Sequence, residues 1–303
     1  MRAYLSKRSA AGNNTLVSNK RFRITGVAIF ALLSLHATSL HATNPKNETV
    51  VAFERYVAET EMQMNSETGL AQFLIVDRLP DAERQNAYDQ LHQGQAFIEE
   101  LHTRKEGRPI SIPNGLVHHW AGVIFIPKAT LSETIAVLQN YDNQANIYEP
   151  DVRQAKLIKQ DGDGSDVFEQ FYSKSIVTVI LNAYFHVVET PLGSGRCQSV
   201  SRSTRIVEVV NPDGTGARER TDGKDHGYMW RLNSYWRVEQ KDGGVYVQNE
   251  SVSLSRTVPV MLAWIVNPLT KSIPRDLLSR LLNDTRKAVE SPSGASKPEN
   301  AKQ

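Results

Sequence analysis

The chain has 303 residues, 40% hydrophobic and 22% charged, which suits a globular protein able to bury a core and excludes a disordered polymer or a disulfide-framed miniprotein. Its net charge of +2 is uneven: residues 1–42 hold six basic residues and no acid, which leaves 29 Lys and Arg against 33 Asp and Glu in the remainder. A mildly acidic body lacks the basic field of a general phosphate-backbone binder, so no nucleic-acid partner is expected.

The N-terminal stretch "KRFRITGVAIFALLSLHATSLHAT" places a basic patch before an apolar run from Ile24 to Leu35, followed by small residues. This is the layout of a secretory signal peptide over 1–42, with cleavage near Ala42 or, alternatively, after Ser39. The apolar run is shorter than a spanning helix needs, so an uncleaved anchor is the weaker reading and no stable membrane span is expected after cleavage. The expected location is therefore periplasmic or secreted. Cys197, the single cysteine, allows neither an intramolecular disulfide nor a paired-cysteine zinc site.

Residues 43–114 form a mostly helical N-terminal extension. Val50, Phe53, Val57 and Met64 recur at helical spacing from Glu48 onward. Pro80 and Asp81 start a second helix, with Ala87, Tyr88 and Leu91 on one side. Between them "QFLIV" fits a strand or a helix, and "AFIEEL" reads as a strand. "RPISIPNG" is a break.

From 115 to 290 the pattern changes. "LVHHWAGVIFIP" is a strand ended by Pro127, and "TLSETIAVLQNYDN" a short amphipathic helix. Two strands flank "DGDGS", which has acids at calcium-loop spacing but Asp166 and Tyr172 where such a loop needs Gly and Glu; a hairpin turn is the better reading. Long strands follow at 176–190 and 196–210, then a hairpin across "KDGG". Ser272 and Pro274 start a closing helix over 272–290, with Leu277, Leu278, Leu281 and Leu282 in its apolar stripe. The polar tail 291–303 reads as disordered. The predicted class is α+β: a curved antiparallel sheet of about seven strands gripping one long C-terminal helix.

A two-residue turn at Asp242–Gly243 pairs Lys241 with Gly244. Alternation then puts Trp230, Leu232, Ser234, Trp236, Asn249 and Ser251 on the helix side, and Arg231, Arg237, Gln248 and Glu250 on the other. With Leu277 and Leu281, the first group is the candidate cavity lining; for any one of these residues ordinary packing is the stronger reading. In the second group the arginines read as a solvated ladder with Glu250. His118 and His119 point to opposite faces, and no H-x-x-x-H spacing occurs, so neither metal nor cofactor is expected. No nucleophile elbow or phosphate loop appears. Candidates for a general acid or base are His118, His119, Tyr184, His186 and Glu250, none singled out by its neighbours.

The element order, the hairpin "LNSYWRVEQKDGGVYVQNESVSLSR" and the segment "WIVNPLTKSIPRDLLSRLLNDTRKAV" resemble the START-like superfamily, also called helix-grip or Bet v 1-like. It includes polyketide cyclase/dehydrase and coenzyme-Q-binding-type proteins, and this chain looks most like its exported bacterial members. The likeness covers about 115–290 and is a signature of fold, not of catalysis. It implies a cavity between sheet and C-terminal helix that holds a lipid or another apolar small molecule. The expected function is non-catalytic binding of such a partner. The alternatives are a cyclase-, dehydrase- or hydrolase-type enzyme using the same cavity, and a cell-envelope interaction module built on the extension.

Overall fold

The computed structural model describes residues 44–67, 72–162, 164–174, 178–211, 216–221, 225–257 and 260–291, with side chains from 274 onward in the last helix. The expected signal peptide and all but the first residue of the polar tail lie outside the described residues.

Eight strands run in one antiparallel path, ordered β1 (Phe97–Glu100), β4 (Gly115–Pro127), β11 (Gly244–Arg256), β10 (Arg231–Lys241), β8 (Arg196–Val210), β7 (Thr178–Gly193), β6 (Gly164–Lys174) and β5 (Val152–Asp161). Two-residue β9 (Arg218–Glu219) pairs with β8 as the ninth strand, and β2 (Arg104–Lys105) pairs with β3 (Arg108–Pro109) as a separate small ribbon. The sheet therefore exceeds the expected seven strands, chiefly because β1 from the extension joins it beside β4. The hairpin register is the predicted one. Lys241 pairs with Gly244 across Asp242 (φ 55°) and Gly243 (φ 75°), both left-handed as a type I′ turn requires.

The closing helix, here the fifth, spans Val260–Glu290 and so begins well before the Ser272–Pro274 start signal. Leu278 and Leu282 pack on Ile124, Ile126, Val245 and Val247, with Trp236 and Leu281 at the margin. A methyl group added at Gly122 would come within 2.8 Å of Leu282 Cδ1, so a residue without a side chain lets the helix approach β4. The helix lies over β4, β1 and β11. Two contacts also tie it to the far side: Arg280 bonds Asp151 at 2.7 Å, and Thr285 lies 3.1 Å from the Tyr148 hydroxyl. This is a helix-grip arrangement.

The opposite face of the sheet is not solvated. Helix α1 (Asn47–Glu67) sets Phe53, Tyr56, Val57 and Met64 on Tyr235, Val252 and Leu254. Beside it, a 3-10 turn (Ile75–Arg78) and α2 (Asp81–His92) set Phe73, Leu74 and Leu91 against Val123 and Tyr246. "QFLIV" is thus the approach to a 3-10 turn, neither a strand nor an α-helix. Residues 44–114 are not set apart from the sheet; they belong to the same compact unit. Apolar spacing on α1 shows that the helix needs a partner surface, and the outward residues of β4, β10 and β11 provide it.

Two short helices complete the fold between β4 and β5. They are α3 (Leu131–Leu138), opened by a Thr130–Glu133 capping box, and α4 (Gln144–Ile147).

Candidate functional site

Register sorts the sheet's side chains into two environments. On the inward side, facing the closing helix, Ser251 lies between Trp120 and Ser234, Ser234 pairs with Ser201, and Trp236 sits between Asn249 and Ser199. Asn249 is buried and donates to Ser234 Oγ at 2.7 Å. The Ser199, Ser201, Ser234 and Ser251 side chains keep part of their surface free, as do Leu232, Trp236, Leu277 and Leu281. Phe185 and Val187 continue this face on β7, and Val167, Glu169 and Phe171 on β6.

Of the eight expected lining residues, the structure puts Leu232, Ser234, Trp236, Asn249 and Ser251 together on this face, with Leu281 at the edge of the packed helix seam. Leu277 is half-buried on the same helix. Trp230 is a correction. It precedes β10, donates its ring N–H to Asp225 at 3.2 Å, and packs with α1 on the outward side. The alternation rule fails there because Trp230 stands outside the strand to which the rule applies.

Glu169 is not among the candidates taken from the sequence. It is deeply enclosed by protein, and loss of water raises its carboxyl pKa to about 7. Its side chain nevertheless retains some free surface. Its cross-strand neighbours are Ala155, partly buried, and Ala183, fully buried in the cluster around Phe185. Tyr141 and Tyr148 feel its charge, yet their hydroxyls are engaged elsewhere, with Glu189 (3.3 Å) and Thr285 (3.1 Å). Burial pushes both phenols well above their ordinary range. The sequence signal was available: strand alternation places Glu169 between Val167 and Phe171, a lone acid in an apolar row.

The outward side carries a different chemistry. His119 Nε2 lies 2.8 Å from Glu250 Oε1, and its Nδ1 lies 3.0 Å from the Tyr56 hydroxyl. The backbone N–H of Thr103 donates to that hydroxyl at 2.9 Å, and Thr103 Oγ1 is 2.6 Å from Thr60 Oγ1. All five side chains are buried beneath α1. Arg237, 4% exposed, donates to the carbonyls of Phe73 (3.0 Å) and Met64 (3.3 Å). The expected solvated ladder is therefore wrong for Arg237 and Glu250: both anchor the extension. The remaining arginines pair locally, Arg202 with Glu61, Arg205 with Glu219 and Arg196 with Glu239.

The other acid–base candidates disperse. His118 faces inward, 3.1 Å from Ser255 Oγ, and burial lowers its pKa. Tyr184 bonds Glu219 on the outward face, and His186 bonds Asp166. Cys197 is buried and its thiol pKa is raised, the condition of a packing residue rather than a nucleophile. Among the described residues no group of His, Cys, Asp or Glu has metal-binding geometry, and no helix is long and apolar enough to cross a membrane.

No family model matches the chain, and none of the curated proteins matches it. Solved structures do align. A STAR-related lipid transfer protein from Xanthomonas axonopodis is 16% identical with a TM-score of 0.42, over 60% of this chain and 96% of its own. The Zhui aromatase/cyclase from Streptomyces is 8% identical with a TM-score of 0.40, over 58% of this chain and 94% of its own. A START superfamily protein from Mycobacterium smegmatis is 9% identical with a TM-score of 0.39, over 57% and 97% respectively. The helix-grip description rests on this chain's own strand order and closing helix.

Proposed function

We propose that this chain is an exported protein that binds a hydrophobic small molecule or lipid between the inward face of the sheet and the closing helix, without transforming it. The observation that carries this reading is the free surface retained by enclosed inward side chains, Glu169 above all. The helix packs on the β4–β11 seam, α3 reaches β10, α4 lies on β5, and Tyr141 packs on Val167, Ala183 and Phe185. Apolar walls from Leu232, Trp236, Phe171 and Phe185, with a few hydroxyls among them, suit a mainly apolar ligand with one polar end. Export rests on the basic-then-apolar N-terminal sequence alone.

Native mass spectrometry of the purified full chain, followed by solvent extraction, tests the reading. A bound species released by extraction is the expected result. A single unliganded mass, together with no uptake of an added apolar dye, would count against it.

A second reading, an enzyme acting in the same space, draws on Glu169, since a carboxyl titrating near neutrality can act as general acid or base. Its requirement is turnover that disappears in Glu169→Gln while ligand uptake persists.

A further inference from the structure

The polar end of the ligand can be specified further, on the condition that the binding reading above holds. We propose that Glu169 is the polar anchor of the enclosed space, and that the ligand offers it a hydrogen-bond donor, a hydroxyl or an ammonium, rather than an anionic end.

Three observations converge. First, Glu169 makes no side-chain hydrogen bond or ion pair to any described residue, although Tyr141 and Tyr148 stand close enough to feel its charge. An enclosed carboxyl without a protein partner is costly, and a ligand donor supplies what the protein withholds. Second, Ala155, its neighbour on β5, is small and only partly buried, so no bulky side chain covers the carboxyl from that strand. Third, the inward positions of β4, β6, β7, β8, β10 and β11 carry no Lys or Arg among the described residues, whereas Glu189 and Glu169 both face that side. Arg220 reaches the sheet's end but lies 3.8 Å from Glu208. An anion placed among these acids would be desolvated and repelled with nothing to neutralise it.

The groups facing Glu169 are Tyr141 and Tyr148 from the segment before β5, Glu189 from β7, and Asp284 from the closing helix, which acts on Tyr148 and is itself paired with Lys287. None is a cation that could hold the carboxylate charged. Ionisation near neutral pH thus makes Glu169 the better acceptor as pH rises, and the worse neighbour for an anion.

The test displaces the apolar dye N-phenyl-1-naphthylamine from the full chain with 1-decanol, decylammonium or decanoate, which share a chain and differ in their ends. At pH 8 the alcohol and the amine are each expected to outcompete decanoate by about tenfold or more, a gap of one to two hydrogen bonds. That gap should narrow at pH 5.5. Glu169→Gln should reduce it to about threefold or less at both pH values, and Glu169→Asp should retain it. Equal displacement by decanoate and decanol at pH 8, or a gap that survives Glu169→Gln, overturns the inference. If the dye binds without discrimination among the three, this inference fails and the ligand reading stands. If neither the dye nor any decyl compound binds, both fail.

Discussion

The two faces of the sheet are both covered, but by different means. On the outward face, α1, the 3-10 turn and α2 lie directly on the strands. Polar residues there bond to the segments that cover them: Arg237 donates to two backbone carbonyls and Glu250 Oε1 meets His119, while Glu250 Oε2 and Gln248 Nε2 are buried without a hydrogen-bond partner. On the inward face one helix packs tightly along a single seam. Beyond it, serines, Trp236 and Glu169 keep free surface. The faces differ in how closely they are covered, not in how fully their polar groups are paired.

The comparison can be broken most forcefully on the outward side. Arg237→Ala leaves two carbonyls without their donor and opens a buried site, so a loss of about 3–5 kcal/mol in urea unfolding is expected. Leu282→Ala on the inward seam should cost about 2–4 kcal/mol, because Leu282 is fully buried against Ile124 and Val247. If Arg237→Ala is nearly neutral, Arg237 is not the anchor that holds the covering segments on the outward face.

Glu169 gives the next effect. Its folded pKa, about 7, is raised above the ordinary 4.5, so the folded state holds its proton longer than the unfolded chain. Its contribution is therefore fully present below about pH 4.5 and is lost as pH rises through 7. Ligand-free wild type should lose about 1–3 kcal/mol between pH 5 and 8 relative to Glu169→Gln, measured by paired denaturant melts. Identical pH profiles for the two proteins would place Glu169 in water. The smallest effect is Tyr56→Phe. Removing the hydroxyl that joins Thr103 to His119 should cost about 1–2 kcal/mol, with ligand-free dye uptake unchanged.

Much of the inward face was legible in the sequence. The period-2 pattern and the Asp242–Gly243 turn fix a register in which Ser234, Trp236, Asn249 and Ser251 share a side, and the structure has that register. The helix stripe Leu278–Leu282 likewise announced a seam. What was not legible depends on which segment covers which face. Arg237 and Glu250 look solvated in a strand read alone, and they become buried only because α1 and the 3-10 turn fold back over them. Trp230 was misplaced because strand alternation was extended one residue too far. Glu169 stands out in sequence as a lone acid between Val167 and Phe171, but its enclosure without a partner appears only in the fold. The closing helix starts at Val260 rather than at Ser272 because Pro274, a typical first-turn residue, here sits inside it.

The proposed binding space lies on the inward face beside the helix seam, and filling it is the most direct test. Ser201→Trp places a large ring on the inward face, while Met62→Trp adds the same ring to the exposed side of α1, where Met62 is 59% exposed. Fluorescence titration of N-phenyl-1-naphthylamine into both variants should show saturable uptake lost by about tenfold or more in Ser201→Trp and kept in Met62→Trp. Equal uptake by the two, or none by the wild-type chain, would contradict the account.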